Sequence, residues 1–383
     1  MSSQTPARKK LVIFSVSAGA GHLRAAQALV ATARQSYPDV EAVHVDLMEL
    51  VPQLFKKVYA DSYLKVVERH PALWGYLYDK SDHEKADSGL NKLRRAIERL
   101  NTRKLGSLLR EMQPDYVICT HFLPAELISR KIRAGRFNAP VWVQVTDFDV
   151  HALWIQQQMS GYFAAHDEVA WRMAERGIPA DTIHVTGIPI MPAFDQQYDR
   201  ATCAAEFGLD PNRTTLLMMS GGMGVGGIEQ LAERLLHLKG DFQIVALAGR
   251  NEKLLTDLKV VAMQHPGRLF PLGFINVIER VMAASDLAIT KPGGLTTSEC
   301  LAVGLPMIVV SPIPGQEERN ADFLLENGAA LKACDAGALA WRVRHVLDNP
   351  QRLLHLRQNA LYCGRPDATR KVLETVLGIA PQP

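Results

Sequence analysis

The sequence contains few cysteines, and they form no recognisable pairs. The 383 residues include five cysteines, which are scattered along the chain and form no C-x-x-C motif. This pattern argues against a disulfide scaffold and against a zinc site, and it favours free thiols in a reducing compartment. We therefore expect a cytoplasmic protein that needs no metal.

Long apolar runs and a strong charge imbalance are also absent. No stretch approaches the ~20 apolar residues that a membrane span requires, and the first ten residues, MSSQTPARKK, contain no apolar signal-peptide core. The net charge of +3 is too small to predict a nucleic-acid partner, although a local basic patch could meet anionic lipid. Any contact with a membrane is therefore expected at its surface.

The chain does contain a regular alternation of short apolar runs and helical segments. The predicted strands are LVIFSV, EAVHVDLM, PDYVICT, PVWVQVT, GYFAAH and TIHVTG, followed by TTLLMMSGG, FQIVALAG, LFPLGF, LAITKPGG and MIVVSP. Such alternation predicts an α/β protein with parallel sheets covered by helices on both faces. We expect one doubly wound domain over residues 1–190 and a second over 191–360. A C-terminal helix within 361–383 is expected to pack back toward the first domain.

One segment interrupts this alternation. Residues 51–110 are rich in aromatic residues, and Lys and Arg outnumber Asp and Glu there. The composition is typical of a helical insertion that packs on the sheet. It is equally typical of an amphipathic lid that touches lipid headgroups, and the two interpretations are compatible.

The stretch SAGAGHLRAAQAL, residues 17–29, passes from the first predicted strand into a helix. Glycine lets another molecule approach the backbone, and a helix N-terminus offers unpaired N–H groups and a positive dipole end. His22 is therefore predicted to stand at the mouth of a site for a polar or negative ligand. The alternative is that His22 only caps or orients the loop.

Two glycine-rich turns in the second half also lie between a strand and a helix. SGGMGVGGI, which contains Gly221 and Gly222, is typical of a phosphate-binding loop or of a plain tight turn. The next strand ends in Gly249 and Arg250, without the acidic residue of nicotinamide-binding proteins. This absence weakens an oxidoreductase interpretation.

The second turn, ITKPGGLTTSE, indicates a nucleotide diphosphate-sugar pocket. The hydroxyls of Thr296, Thr297 and Ser298 fall in the first helical turn, where they could hold a diphosphate. Glu299 could accept hydrogen bonds from ribose hydroxyls. Further predicted contacts follow other strands of the same sheet. They are Gln316 and Glu317 for sugar hydroxyls, and Phe274 and Ile275 for a flat base.

At this point the chain resembles the glycosyltransferases that make monogalactosyl- and glucosyldiacylglycerol. More distantly, it resembles the bacterial enzyme that adds N-acetylglucosamine to lipid I. The resemblance covers nearly the whole chain and rests on SAGAGHLRAAQAL, TDFDVHALWI, GIPIMPAF, SGGMGVGGI, AGRNEKL, GFINVIERVMAASDLAITKPGGLTTSECLAVGLP and PIPGQEERNADFLLENGAA. Many relatives have GGGH or GTGH where this chain has Gly19-Ala20-Gly21-His22, a conservative departure.

The resemblance implies a GT-B fold, a UDP-sugar donor in the second domain, a lipid acceptor in the first, inversion at the sugar carbon and no metal. It implies that Glu299 holds the ribose and that Gln316 and Glu317 face the donor sugar. The diphosphate would contact Gly221, Gly222 and Thr296. The other implied donor contacts are Arg250, Phe274, Ile275, Gly294 and Leu295.

Two residues are candidates for the group that accepts the proton during transfer. Imidazole suits the role, so His22 is one candidate, with an acidic limb expected at about pH 6–7. Asp147 is the other, as the base or as a positioning group. Asp147-Phe148-Asp149 superficially matches a D-x-D metal motif, but its place in the first domain favours a metal-free acceptor side.

The remaining acceptor-side predictions are less specific. Gly21, His151 and Trp154 are assigned to the acceptor side, with Trp154 as an apolar wall. His121 also follows a strand, but a structural role is expected for it.

The sequence thus predicts an inverting transferase that moves a hexosyl group from a UDP-sugar to diacylglycerol, acting peripherally at the cytoplasmic face of a membrane. The alternatives are another lipid or polyprenyl acceptor, a UDP-sugar epimerase, or a non-catalytic UDP-sugar-binding protein. The identity of the sugar and the number of sugars added remain open.

Overall fold

A computed structural model describes residues 8–17, 19–50, 104–219 and 227–380. The described residues form two compact units. The first comprises those up to Pro192 together with those from Asp367 onward, and the second is Ala193–Pro366. The chain therefore changes units in the proline-containing stretch GIPIMPAF and returns to the first unit close to its C-terminus.

The first unit is a six-stranded parallel sheet in the order β2-β1-β3-β4-β5-β6. Its regular elements are β1 (Lys9–Ser15), α1 (Ala20–Ser36), β2 (Val40–Asp46), β3 (Tyr116–Cys119), α2 (Phe122–Arg133), β4 (Val141–Gln144), β5 (Gly161–Ala164), α3 (Asp167–Glu175) and β6 (Ile183–Val185). Residues 104–112 are also helical. Leu11, Val12, Ile13 and Phe14 of β1 are all fully buried, as expected for a strand covered on both faces.

The C-terminal segment completes the first unit. Within it, Val372 and Leu373 are fully buried in the same apolar cluster as Leu11 and Ile13 of β1. The Thr369 hydroxyl accepts a hydrogen bond from the Ile190 N–H at 3.0 Å and donates to the Ile190 carbonyl at 2.6 Å. This last helix is therefore part of the first unit's core.

The second unit is also a six-stranded parallel sheet, in the order β12-β11-β10-β7-β8-β9. Its elements are α4 (Arg200–Glu206), β7 (Thr214–Met219), α5 (Ile228–Leu236), β8 (Phe242–Gly249), α6 (Glu252–Gln264), β9 (Leu269–Gly273), α7 (Ile278–Ala283), β10 (Leu287–Thr290), α8 (Gly294–Ala302), β11 (Met307–Val310), α9 (Gln316–Glu326), β12 (Ala330–Ala333), α10 (Ala336–Leu347) and α11 (Pro350–Cys363). The helix α12 (Ala368–Leu377) follows in the first unit.

Each sheet contains a point where the direction of strand addition reverses. This point lies between β1 and β3 in the first unit and between β7 and β10 in the second. In open α/β sheets, ligands bind outside the carboxyl ends of the strands at such points, because the loops on either side diverge and leave a crevice. The loops that follow β1, β3, β7 and β10 are therefore the places to look for a site.

Candidate active site

His22 lies at the point in the first sheet where the direction of strand addition reverses, between β1 and β3. It is the third residue of α1, which follows β1, and two threonines follow the adjacent strands: Thr120 directly after β3 and Thr146 shortly after β4. The His22 Nδ1 atom lies 3.0 Å from the Thr120 carbonyl oxygen and 2.8 Å from the Thr146 Oγ1 atom. Residues 98 and 124 positions from His22 thus meet it because their strands are neighbours.

The contact with Thr120 determines which nitrogen of His22 is available. A carbonyl oxygen can only accept, so this contact favours the neutral ring that carries its proton on Nδ1. The Nε2 atom then has a lone pair, and it makes no hydrogen bond within the part of the chain that the structure describes. In that tautomer Nε2 is the ring nitrogen that can accept a proton.

The surroundings of the ring keep it neutral. His22 retains some exposed surface, but its ring packs edge-on against His121, with centroids 4.6 Å apart, and lies 6.1 Å from the Trp154 ring centroid. This burial lowers the pKa of His22 to about 4, and the hydrogen bond with Thr120 opposes the shift. If His22 is the proton acceptor, burial moves the expected acidic limb from about pH 6–7 to near pH 4.

The neighbouring His121 has a structural role. Its Nδ1 atom accepts a hydrogen bond from the Leu123 N–H at 3.0 Å and so caps the N-terminus of α2. Burial, with a contribution from His22, holds the pKa of His121 well below its usual range. Its ring packs beside His22 and contributes to the desolvation of that residue.

The predicted acceptor-side residues Trp154 and His151 also lie in this unit. Trp154 is almost fully buried and forms an apolar wall beside the rings of His22 and Phe122. The His151 Nδ1 atom accepts a hydrogen bond from the Leu153 N–H at 3.1 Å, which caps the short 3-10 turn Ala152–Trp154. The structure thus shows a local structural role for His151. Gly21 immediately precedes His22 in α1.

The two aspartates of the D-x-D sequence differ in their surroundings. Asp149 is buried and forms an ion pair with Arg172, with its Oδ1 atom 3.2 Å from the Nη1 atom. Asp147 is partly buried and directly follows Thr146, so it belongs to the same strand end as a contact of His22. Within the described residues, no three or more His, Cys, Asp or Glu side chains are placed to hold a metal ion.

In the second unit, the turn after β10 leads directly into α8. Gly294 is the first helical residue, and Thr296 is partly exposed within the first turn. The prediction for the next two hydroxyls is wrong. Thr297 is fully buried, and the Ser298 hydroxyl donates to the Gly294 carbonyl at 2.8 Å. Because each helical residue turns by about 100°, these three side chains cannot all point to one ligand.

The two carboxylates predicted to contact the donor differ in exposure, since Glu299 is buried and Glu317 is partly exposed. Glu299 lies in α8 and is only 8% exposed. Glu317 lies in α9, where its Oε2 atom accepts a hydrogen bond from the Ile313 N–H at 2.7 Å, and burial raises its pKa. Gln316 begins the same helix after Gly315, whose φ of 88° favours glycine. Leu295 is buried within α8.

The sequence analysis missed Asn320, which joins the two loops of this region. Its side chain is fully buried in α9 and donates a hydrogen bond from Nδ2 to the Pro292 carbonyl at 3.0 Å, so α9 is tied to the turn before α8. Asn320 lies four residues after Gln316 and therefore on the same face of the helix, and this spacing could have identified it from the sequence. Thr120 and Thr146 were also missed.

Arg250 and Phe274 form an exposed surface after the strands β8 and β9, at one edge of the second sheet. The Arg250 guanidinium, after β8, lies 4.7 Å from the centroid of the Phe274 ring, after β9. Phe274 is 57% exposed, unusual for a large apolar side chain, and the next residue, Ile275, is partly exposed. Gly221 and Gly222, predicted to contact the diphosphate, lie outside the described residues, as does most of the 51–110 segment.

Comparison with known proteins assigns both parts of the chain. Residues 22–190 match the family model for monogalactosyldiacylglycerol (MGDG) synthase, and residues 228–369 match the glycosyltransferase family 28 C-terminal domain. A processive diacylglycerol beta-glucosyltransferase from Bacillus cereus (strain AH187) is 30% identical over 374 residues. The alignment covers 96% of this chain and 93% of the relative.

Solved structures agree on the fold. The crystal structure of Acinetobacter baumannii MurG matches with a TM-score of 0.64 at 16% identity, over 97% of this chain and 99% of that one. A UDP-GlcNAc 2-epimerase from Neisseria meningitidis, bound to UDP-GlcNAc, matches with a TM-score of 0.61 at 13% identity, over 97% of this chain and 100% of that one. At these identities the similarity shows a shared GT-B-type fold of two doubly wound units. On the strength of its near full-length sequence similarity, the chain belongs to the diacylglycerol glycosyltransferases that carry a family 28 C-terminal domain.

Proposed function

We propose that the protein transfers a hexosyl group from a UDP-sugar to diacylglycerol, with inversion at the sugar carbon. The observation that carries the proposal is the near full-length similarity to a diacylglycerol beta-glucosyltransferase, which spans both units. The geometry of His22 supports it, because a neutral imidazole with an unoccupied Nε2 atom is what deprotonation of an alcohol requires.

In the proposed reaction, the His22 Nε2 atom accepts the proton of the free hydroxyl of diacylglycerol. The hydroxyl oxygen bonds to C1 of the sugar on the face opposite UDP, and the bond between C1 and the phosphate oxygen breaks. UDP departs with that electron pair, so an α-linked donor yields a β-linked product. The balance of charge needs no further reactant.

The second unit is proposed to hold UDP. N–H groups at the start of α8 and the Thr296 hydroxyl would stabilise the charge that develops on the departing diphosphate. Glu299 would accept hydrogen bonds from the ribose, and the surface of Arg250 and Phe274 would support the base. Gln316 and Glu317 would contact the sugar hydroxyls.

We propose glucose as the first sugar to test, because the Bacillus cereus relative is named a beta-glucosyltransferase. The full chain should be incubated with diacylglycerol liposomes and, in separate reactions, with UDP-glucose, UDP-galactose, UDP-N-acetylglucosamine and UDP-glucuronate. Mass spectrometry should show a hexosyldiacylglycerol, and further additions would show processive transfer. Conversion of one UDP-sugar to another without a lipid product would indicate an epimerase, and binding without turnover would indicate a sensor.

A lipid substrate also leads us to propose peripheral membrane association. Within the described residues, no helix is both long and apolar enough to cross a bilayer. The composition of residues 51–110, with their excess of Lys and Arg and their many aromatics, supports contact with an anionic surface.

Membrane association predicts that charge reversal in this segment weakens vesicle binding. Each basic residue near an anionic surface contributes about 1 kcal/mol at most, and salt screens it. The double variant Lys56→Glu, Lys57→Glu should therefore bind phosphatidylserine-containing vesicles several-fold less tightly at low salt. Sedimentation at increasing salt would measure the loss. Lys253→Glu, Lys259→Glu on α6 is a charge-matched control, and equal losses in both variants would contradict a specific role for the segment.

A further inference from the structure

We propose that Thr146 is a positioning residue: its hydroxyl oxygen is a second acceptor beside the Thr120 carbonyl, and it fixes the direction of the His22 Nδ1–H group so that Nε2 stays free. This inference rests on the proposed function, because it assigns His22 the role of proton acceptor. Its structural part, the tautomer and its cause, can be tested without any reaction.

Two oxygen atoms lie within hydrogen-bond distance of the Nδ1 atom of the His22 ring. The Thr146 Oγ1 atom is 2.8 Å and the Thr120 carbonyl oxygen 3.0 Å from the His22 Nδ1 atom. With an unprotonated Nδ1, the Thr146 hydroxyl could donate to it, but the Thr120 oxygen would face a lone pair at 3.0 Å. A protonated Nδ1 turns both contacts into hydrogen bonds from one N–H group, which both oxygens accept. The Thr120 oxygen therefore selects the Nδ1–H tautomer, and the Thr146 oxygen is a second acceptor for the same N–H group.

The two threonines also hold His22 in place. The Thr120 hydroxyl donates to the His22 carbonyl at 2.9 Å, so one residue contacts both the ring and the backbone of His22. Thr146 is only 3% exposed, which fixes its side chain. Because these residues follow three adjacent strands, the arrangement depends on the sheet rather than on a flexible loop.

The chemistry of this arrangement differs from that of a catalytic triad. In a triad a carboxylate orients the histidine and stabilises the imidazolium that forms. Here the orienting atoms that contact Nδ1 are two neutral oxygens. The titratable groups on the surrounding elements include His121 at the start of α2, and Asp147, Asp149 and His151 after β4. Two hydrogen-bond acceptors can fix the tautomer without making the histidine a strong base.

The test uses three variants of the full chain. Thr146→Val removes the hydroxyl and keeps the shape, whereas Thr146→Ser keeps the hydroxyl. Thr32→Val is the matched control, because Thr32 is buried in α1 and its hydroxyl has no hydrogen-bond partner among the described residues. The readouts are the imidazole nitrogen signals of His22 in histidine-labelled protein, assigned by comparison with His22→Gln, and kcat with the UDP-sugar that the product assay identifies.

We expect native His22 to be protonated at Nδ1 and free at Nε2. Thr146→Val should keep the proton on Nδ1 but shift the signal of that nitrogen, because one of its two acceptors is lost. It should reduce kcat about three- to tenfold, the range for one lost hydrogen bond. Thr146→Ser should restore both readouts, and Thr32→Val should change neither. A native Nε2–H tautomer would overturn the inference, as would Thr146→Val with native signals, whether or not kcat falls. If the chain transfers no sugar, the proposed function fails, but the nitrogen signals still decide the role of Thr146.

Discussion

Replacement of His22 by alanine is expected to reduce turnover by about 10²–10⁴-fold, the usual contribution of a positioned general base. The affinity for UDP should stay close to that of the native chain, because His22 belongs to the first unit and the proposed UDP contacts belong to the second. Single-turnover kinetics with saturating UDP-sugar and lipid, together with calorimetry of UDP binding, would measure the two quantities. His355→Ala, at an exposed position of α11, is the control.

The pH dependence of the same reaction tests the surroundings of His22. A base works when deprotonated, so activity is lost as the pH falls through its pKa, which burial lowers to about 4. The rate should therefore be level from neutral pH to about pH 5. Protonation of a buried neutral histidine also favours unfolding, since the unfolded chain binds that proton more readily. Intrinsic fluorescence must confirm that the protein is folded at each pH.

Asp147→Asn separates the two candidates for the proton acceptor. If Asp147 only orients the acceptor or another side chain, the variant should keep a measurable part of its activity. If Asp147 is the base, its loss should be as severe as that predicted for His22, and His22→Ala should be mild. Retention of most of the turnover by His22→Ala would contradict our assignment and leave His22 as a structural residue of α1.

The alternation of apolar runs and helices was enough to predict both sheets. Five of the six strands of the second sheet were found because each is a short run of apolar residues between turn signals. The strand β12 was missed, since its sequence, ALKA, is short and contains no β-branched residue. The family resemblance is confirmed by the two family models and by the full-length relative.

The details of the site depended on contacts that no local pattern contains. His22 was identified from a glycine turn, but its partners Thr120 and Thr146 lie about a hundred or more positions away, and only the strand order brings them to its ring. The same limit applies to its pKa, because the lowering comes from rings that pack on it rather than from its own helix. For Ser298 a local pattern was misleading, because its hydroxyl donates a hydrogen bond to the Gly294 carbonyl within α8.

Similar folds do not distinguish a transferase from an epimerase here. The MurG structure and the UDP-GlcNAc 2-epimerase structure have TM-scores of 0.64 and 0.61 against this chain, a difference too small to favour either reaction. What the two structures share with this chain is the fold alone. The chemistry must therefore be decided by particular side chains and by sequence relatives.

Glu299 is proposed to bind the ribose of the nucleotide. Glu299→Ala should weaken UDP binding by about 1–3 kcal/mol, or roughly 5- to 150-fold, the range for hydrogen bonds to a charged group. The carboxylate is buried in α8, so ribose hydroxyls that reach it would form these bonds away from competing water. Calorimetry with the full chain would measure the loss. Ser298→Ala, at the next position, should bind UDP normally because its hydroxyl already donates to the Gly294 carbonyl.

A second nucleotide identifies the partner of Glu299. If the carboxylate accepts a hydrogen bond from the ribose 2′-hydroxyl, 2′-deoxy-UDP should bind the native chain more weakly than UDP. The two nucleotides should then bind Glu299→Ala with nearly equal affinity, because the interaction lost by either change is the same one. Thermal unfolding of the variant would establish that the fold is intact. Native UDP affinity in a folded Glu299→Ala protein would remove Glu299 from the ribose site, whereas the same penalty for 2′-deoxy-UDP in both proteins would exclude the 2′-hydroxyl as its partner.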